Sequence, residues 1–313
     1  MSEPWRVDRF TSYLIGETLR GVTVEPARHP LQIDRRHQIW TEIVFVSICH
    51  QANWDLFHDR VMSVAGECLE SLHPSRLAAQ SSSEFRSLFG DAFSPDRLRL
   101  SERVRLLQNL GLKAGDWPSC ARLLNDCDAT LAGPDGIYSW LSTFEAFAQD
   151  PLQKKSRVLV HQLLRYGLVS VVDAESIAPA IDYHLIRLYV RTGRVLPAKS
   201  ELAEKLVDGR TARVEFLTAL RRAVQEAMHY TAASSGLRLD QLNHIEWQIA
   251  RSFCTRLEAR CHKGPTPEKR LDEGIVMASE RCGGHCPLVG ECLGVLNEEL
   301  RNIQDPRSVR AYY

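Results

Sequence analysis

The stretch that most limits the fold is IVFVSI, residues 43–48. A helix drawn through it is apolar on every face, and such a helix belongs in the middle of a core rather than on a surface. Ile39, Ile43, Val46 and Cys49 repeat at helical spacing before the HQAN that comes next, and Trp54, Phe57 and Val61 continue the pattern after it. The spacing predicts helix from His37 to Leu72. It predicts further helices over Ser83–Phe89, Leu100–Leu110 (ended by Gly111), Cys120–Leu131, Tyr138–Phe147, Lys199–Leu206, Arg210–Tyr230 and Leu239–Arg260. Gly133–Pro134–Asp135–Gly136 and Ser234–Ser235–Gly236 are turns, and residues 262–280 read as a loop. VLV and VSVV are too short to read as strands, so the fold expected is all-α, without internal repeats.

At 313 residues the chain is long enough for two lobes. Residues 1–37, polar and punctuated by proline, are expected to form an N-terminal arm packing on the C-terminal lobe. Residues 38–168 are expected to form a central, barrel-like helical lobe, and residues 169–313 a C-terminal lobe. Basic and acidic residues balance at 39 each, so a polyanion would have to be held by a local patch. No apolar run approaches the ~20 residues of a membrane span. MSEPWRVDRF has no signal-peptide core, which leads us to expect a cytoplasmic protein. The nine cysteines then read as thiols or metal ligands.

Two ionisable residues stand at helix starts between Asp150 and Gly193: Lys155 before SRVLVHQLLRYG and Asp182 before YHLIRLYVRTG. A helix N-terminus favours an ionised carboxylate and disfavours an ammonium, pushing a lysine toward its nucleophilic form. Such a pair suits attack at a sugar carbon that is developing positive charge. Downstream, Cys254-x6-Cys261 precedes Cys282-x3-Cys286-x5-Cys292, and CGGHCPLVGEC suits metal or cluster ligation better than core packing. Zinc and a [4Fe–4S] cluster can each take four thiolates. His285 is a further possible zinc ligand.

Four patches resemble the helix–hairpin–helix DNA glycosylase superfamily, over roughly residues 38–292. IVFVSICHQANWDLFHDRV resembles the first core helix of these enzymes, which lines the base pocket. DPLQKKSRVLVHQLLRY is similar to the catalytic-lysine segment of archaeal 8-oxoguanine glycosylases, and IDYHLIRLYVRTG to the segment carrying the catalytic aspartate. LNHIEWQIARSFC resembles a helix of the archaeal branch and the start of the iron–sulfur loop of endonuclease III. The resemblance implies two helical lobes with a cleft between them and a C-terminal iron–sulfur loop. It implies Lys155 as Schiff-base nucleophile, with Lys154 as rival, and Asp182 as the essential carboxylate. It also implies Cys254, Cys282, Cys286 and Cys292 as ligands of a [4Fe–4S] cluster, zinc being the alternative metal and Cys261 the alternate ligand. Gln51, Asn53, Asn243 and Trp247 would meet the base.

The activity implied is a DNA base-excision glycosylase, bifunctional as an abasic-site lyase, removing a modified base flipped out of double-stranded DNA. The protein would be a monomer, associated with the nucleoid in a bacterium. Two departures stand out: DPLQ replaces the glycine-rich, phosphate-gripping hairpin, and Asn243 replaces a base-contacting aspartate. They keep open a glycosidase of the same fold acting on free modified nucleosides, as in queuosine salvage. A non-catalytic, cluster-bearing DNA-binding module is the third reading. Arg187, Arg191, Arg194, Arg213, Arg221 and Arg222 are either a solvated face or the phosphate-contacting patch that zero net charge requires.

Overall fold

Residues 39–48 are all buried, so the run read as a central helix lies inside a core. The computed structural model describes residues 4–115, 129–199, 206, 213–267, 269 and 271–305. Among these the chain is mostly helical. In chain order come β1 (Trp5–Val7), α1 (Arg9–Leu19), α2 (Arg35–Ile48), α3 (Trp54–Glu67), α4 (Pro74–Ala78), α5 (Ser82–Phe89) and α6 (Leu100–Ala114). Next are α7 (Ile137–Leu141), α8 (Glu145–Ala148), α9 (Lys154–Arg165), α10 (Tyr183–Arg191), β2 (Val195–Pro197) and α11 (Val214–Ser235). The last are α12 (Leu239–Ser252), α13 (Glu273–Arg281), α14 (Leu293–Leu296) and α15 (Glu298–Arg301). Among the described residues, no helix is long and apolar enough to cross a membrane.

The chain divides into two units, one from Pro26–Ile177 and one joining Met1–Glu25 to Ala178–Ala311. In the first, α2 is started by Asp34, whose carboxylate accepts the N–H groups of Arg36 and His37. Its buried Glu42 is faced by His58 Nε2 at 3.0 Å and His29 Nε2 at 3.3 Å. His29 Nδ1 accepts from the Leu31 N–H at 3.2 Å, which leaves the ring proton on Nε2, the nitrogen that faces the carboxylate. In the second unit the N-terminal segment is tied down by antiparallel pairing of β1 with β2 and by packing of α1 on α11.

Several elements depart from the periodicity. One helix was expected from His37 to Leu72, but the chain breaks at residues 49–53. The carbonyls at the break are taken by side chains instead of by a next turn, and Gln51 is left-handed at φ 54°. Gly111 does not end α6. The helix runs on to Ala114, and a Cβ at Gly111 would lie 2.4 Å from the Pro74 carbonyl oxygen, so glycine is there to let α4 cross closely. Residues 273–281 are helical rather than loop, started at Asp272. The helix expected to reach Arg260 ends at Ser252, because Arg187 holds the carbonyls of Ala250 and Cys254. Most of the expected helices at 199–206 and 120–131 lies outside the described residues, and Ala129 forms a parallel bridge to Val171.

Candidate active site

Lys155 is the second residue of α9, and its side chain runs inward until only 3% of the residue is exposed. Its Nζ donates to the Ser47 carbonyl at 2.6 Å and lies 3.4 Å from His50 Nδ1. The last carbonyls of a helix have no partner within it. Here α2 finds them outside: Lys155 takes Ser47, and Arg103 from α6 donates to Ile48 at 3.1 Å and to His50. Burial is the main cause that brings the Lys155 pKa down from 10.5 to about 8; Lys154 and Arg103 add to it, and Cys49 and Glu102 oppose it. Two acceptors meet this nitrogen, the Ser47 carbonyl and His50 Nδ1. Cys49 lies in the same group, and burial pushes its thiol pKa up. Lys154, next to it, is half-buried and its backbone N–H donates to Asp150 Oδ2. The inward-turned amine is that of Lys155.

The turn before Lys155 turns its amides to itself. Asp150 is buried, and its two carboxylate oxygens accept the N–H groups of Leu152 at 3.0 Å and Lys154 at 2.9 Å. The Gln153 N–H goes to the Asp150 carbonyl, and Gln153 is left-handed at φ 50°. Amides so occupied do not grip a phosphate. Gln51 and Asn53, expected on the first helix, lie instead in the break after α2, in the same loop as His50. Gln51 is half-buried, and Asn53 is exposed at the start of α3 without a side-chain cap bond.

Asp182 belongs to the other unit. It is the N-cap of α10, accepting the Leu185 N–H at 3.0 Å. The segment that delivers it is pinned by three side chains that periodicity alone does not single out for this task. Asn243 Oδ1 accepts the Ala180 N–H at 2.8 Å, Arg221 Nε donates to the Ile181 carbonyl at 3.2 Å, and Gln225 donates to the Pro179 carbonyl at 3.4 Å. Trp247 is half-buried, with the Arg251 guanidinium 4.3 Å over its ring.

The arginine face is for the most part not a face. Arg187, Arg191, Arg194 and Arg221 are buried, while Arg213 and Arg222 are exposed. Arg187 donates to the Cys254 and Ala250 carbonyls at 2.6 and 2.8 Å and pairs with Asp305. Arg191 donates to the Ile303 and Thr255 carbonyls, each at 2.8 Å. Arg194 pairs with Glu246. Guanidinium groups that bind protein carbonyls in this way hold the fold rather than phosphates.

Of the five C-terminal cysteines, four form one electrostatic group: Cys254, Cys261, Cys286 and Cys292. Burial pushes the Cys286 thiol well above its usual range, and charge on Cys254, Cys292 and Cys261 adds to that. Cys292 is pushed up to about 12 by burial, then by Cys254 and Cys261. The Cys286 N–H also donates to the Cys261 carbonyl at 3.0 Å. Cys282, expected among the ligands, has its Sγ 3.9 Å from the Pro287 carbonyl. Among the described residues, no three His, Cys, Asp or Glu side chains are gathered tightly enough to hold a single metal ion. If the four grouped cysteines hold a [4Fe–4S] cluster, the protein is expected to be brown with absorbance near ~400 nm. Cys261→Ala should then lose the colour and its iron, and Cys282→Ala should keep both.

No family model matches the sequence, and no curated protein matches it.

Proposed function

We propose that this protein is an N-glycosylase that breaks a base–sugar bond through a lysine Schiff base, with Lys155 as nucleophile and a modified base in double-stranded DNA as target. The observation that carries this reading is the buried Lys155 amine, its pKa brought down to about 8 and its nitrogen held by two acceptors. An amine in that state can attack a sugar C1′ from which the base is departing, and the resulting adduct can undergo β-elimination and nick the strand. Asp182 would be the carboxylate that serves base release, on a segment that Asn243, Arg221 and Gln225 hold in place. Cys254, Cys261, Cys286 and Cys292 would hold the cluster, which when bound would tie residues 254–292 into one rigid piece.

Asp182→Asn tests the carboxylate's part. Asparagine caps a helix as well as aspartate does, so α10 should keep its start while base release falls by two orders of magnitude or more, roughly what a preorganised charge contributes. Unchanged release would remove Asp182 from the chemistry.

The turn at Asp150–Gln153 favours a second reading, a glycosidase of the same chemistry acting on free modified nucleosides, because the amides that would grip a DNA phosphate are bonded internally. A substrate panel separates the two. Duplexes carrying oxidised, deaminated, alkylated or hypermodified bases are set beside the matching nucleosides. Base release from a duplex supports the first reading, and release from nucleosides alone supports the second.

A further inference from the structure

We propose that His50 and Glu102 complete a triad with Lys155, in which His50 is the general base for the amine and Glu102 the positioning carboxylate. The proposal rests on Lys155 being a nucleophile, but not on the nature of its substrate. The geometry is that of a nucleophile, a base and an orienting group in series: Lys155 Nζ to His50 Nδ1 at 3.4 Å, then His50 Nε2 to Glu102 Oε2 at 3.7 Å. Arg99 holds the same Glu102 oxygen at 3.3 Å. His50 Nε2 is buried without a hydrogen-bond partner, so a closure of a few tenths of an ångström toward Glu102 would satisfy it. Because Nδ1 faces the amine, the proton of the neutral ring sits on Nε2 and points at the carboxylate. Glu102 is partly exposed, which gives the series an end in solvent.

In the step this arrangement serves, the Lys155 lone pair forms the N–C bond to the electrophilic carbon, and the nitrogen becomes positively charged. Its N–H bond then breaks, leaving the electron pair on nitrogen, and the proton goes to His50 Nδ1. The Nε2 proton passes to Glu102 and from there to water, so His50 ends as the opposite neutral tautomer. Hydrolysis of the imine runs the series backwards. Burial, and the nearby Lys155 and Arg103 charges, hold the His50 pKa down at about 3 against the pull of Glu102. The ring therefore does not keep a second proton, and gain at Nδ1 must be coupled to loss at Nε2. The charged and titratable groups around the triad are Cys49, Arg99, Arg103 and Lys154.

The test needs no nucleic acid. Lys155 is trapped with glycolaldehyde and cyanoborohydride, and modification of its peptide is tracked by mass spectrometry across pH in wild type, Glu102→Gln, Glu102→Asp and His50→Asn. Asparagine keeps an acceptor oxygen near the Nδ1 position but cannot take a proton. If Glu102 acted only through its charge, Glu102→Gln would leave more free amine at neutral pH and trapping would quicken. The triad predicts the opposite. Trapping in Glu102→Gln and His50→Asn should slow by roughly a hundredfold, the scale of general-base catalysis, with partial recovery in Glu102→Asp. Wild-type or faster trapping in Glu102→Gln overturns the triad. If the triad variants slow aldehyde trapping while wild type forms no adduct with any duplex or nucleoside, the glycosylase reading fails and the triad stands.

Discussion

Replacing Lys155 with methionine is expected to abolish the borohydride-trapped adduct and to change how stability responds to pH. With a pKa near 8 instead of 10.5, roughly a tenth of Lys155 is a free amine at pH 7, against a few parts in ten thousand for an ordinary lysine. That is a gain of roughly three hundredfold in nucleophile, and methionine removes it while nearly conserving volume. The pH dependence of stability has a definite sign. The folded-state pKa is lowered, so between about 8 and 10.5 the unfolded chain binds the proton that the folded chain has released. The penalty is fully present below about pH 8 and fades as pH rises to 10.5. Relative to Lys155→Met, wild type should therefore gain about 3 kcal/mol between pH 7 and 10.5, measured by denaturant unfolding at each pH. A stability difference that stays flat over that range would mean that Lys155 titrates as an ordinary surface lysine.

The second large effect lies in the other unit and concerns stability alone. Glu246→Gln is expected to lose about 3–5 kcal/mol, the range for removing one partner of a buried ion pair. Glu246, Arg194 and Tyr189 are all fully buried. Glu246 pairs with Arg194 and accepts the Tyr189 hydroxyl at 2.5 Å, and the Arg194 guanidinium lies 3.5 Å over the Tyr189 ring. Burial works against the charge on Arg194, and Glu246 outweighs it, holding the guanidinium pKa above its ordinary value. With a neutral amide in place of the carboxylate, that charge is left buried without compensation. The loss should appear as a midpoint shift in denaturant and as reduced amide protection in α10 and α12. Because α12 also carries Asn243, the segment before Asp182 should loosen with it. A shift below about 1 kcal/mol, typical of an exposed pair, would show that the cluster is solvated in solution.

Much of the helical order was legible in the sequence because the 3.6-residue repeat reports burial directly, as residues 39–48 show. What it misses are contacts between residues distant along the chain. Gly111 reads as a stop but serves a helix crossing with α4, so its role is set by the backbone packed opposite it and not by its neighbours in the chain. The break at 49–53 depends on Lys155 and Arg103, dozens of residues away, reaching the end of α2. The arginines of α10 are spaced like a charged surface, yet their guanidiniums meet carbonyls of the 250–255 and 303 segments. Lys155 and Asp182 could be singled out because each opens a helix in a distinctive context. His50 and Glu102 carry no such mark, and only the fold brings them to the amine.

The most direct measurement is peptide mapping of the borohydride-trapped adduct from the base-modified duplexes and nucleosides, with wild type, Lys155→Met and Lys154→Met side by side. The result expected is a single covalent sugar adduct on the peptide containing Lys155, kept in Lys154→Met and lost in Lys155→Met. An adduct on another residue, an adduct that persists in Lys155→Met, or none with any substrate in wild type would contradict a Lys155 Schiff base.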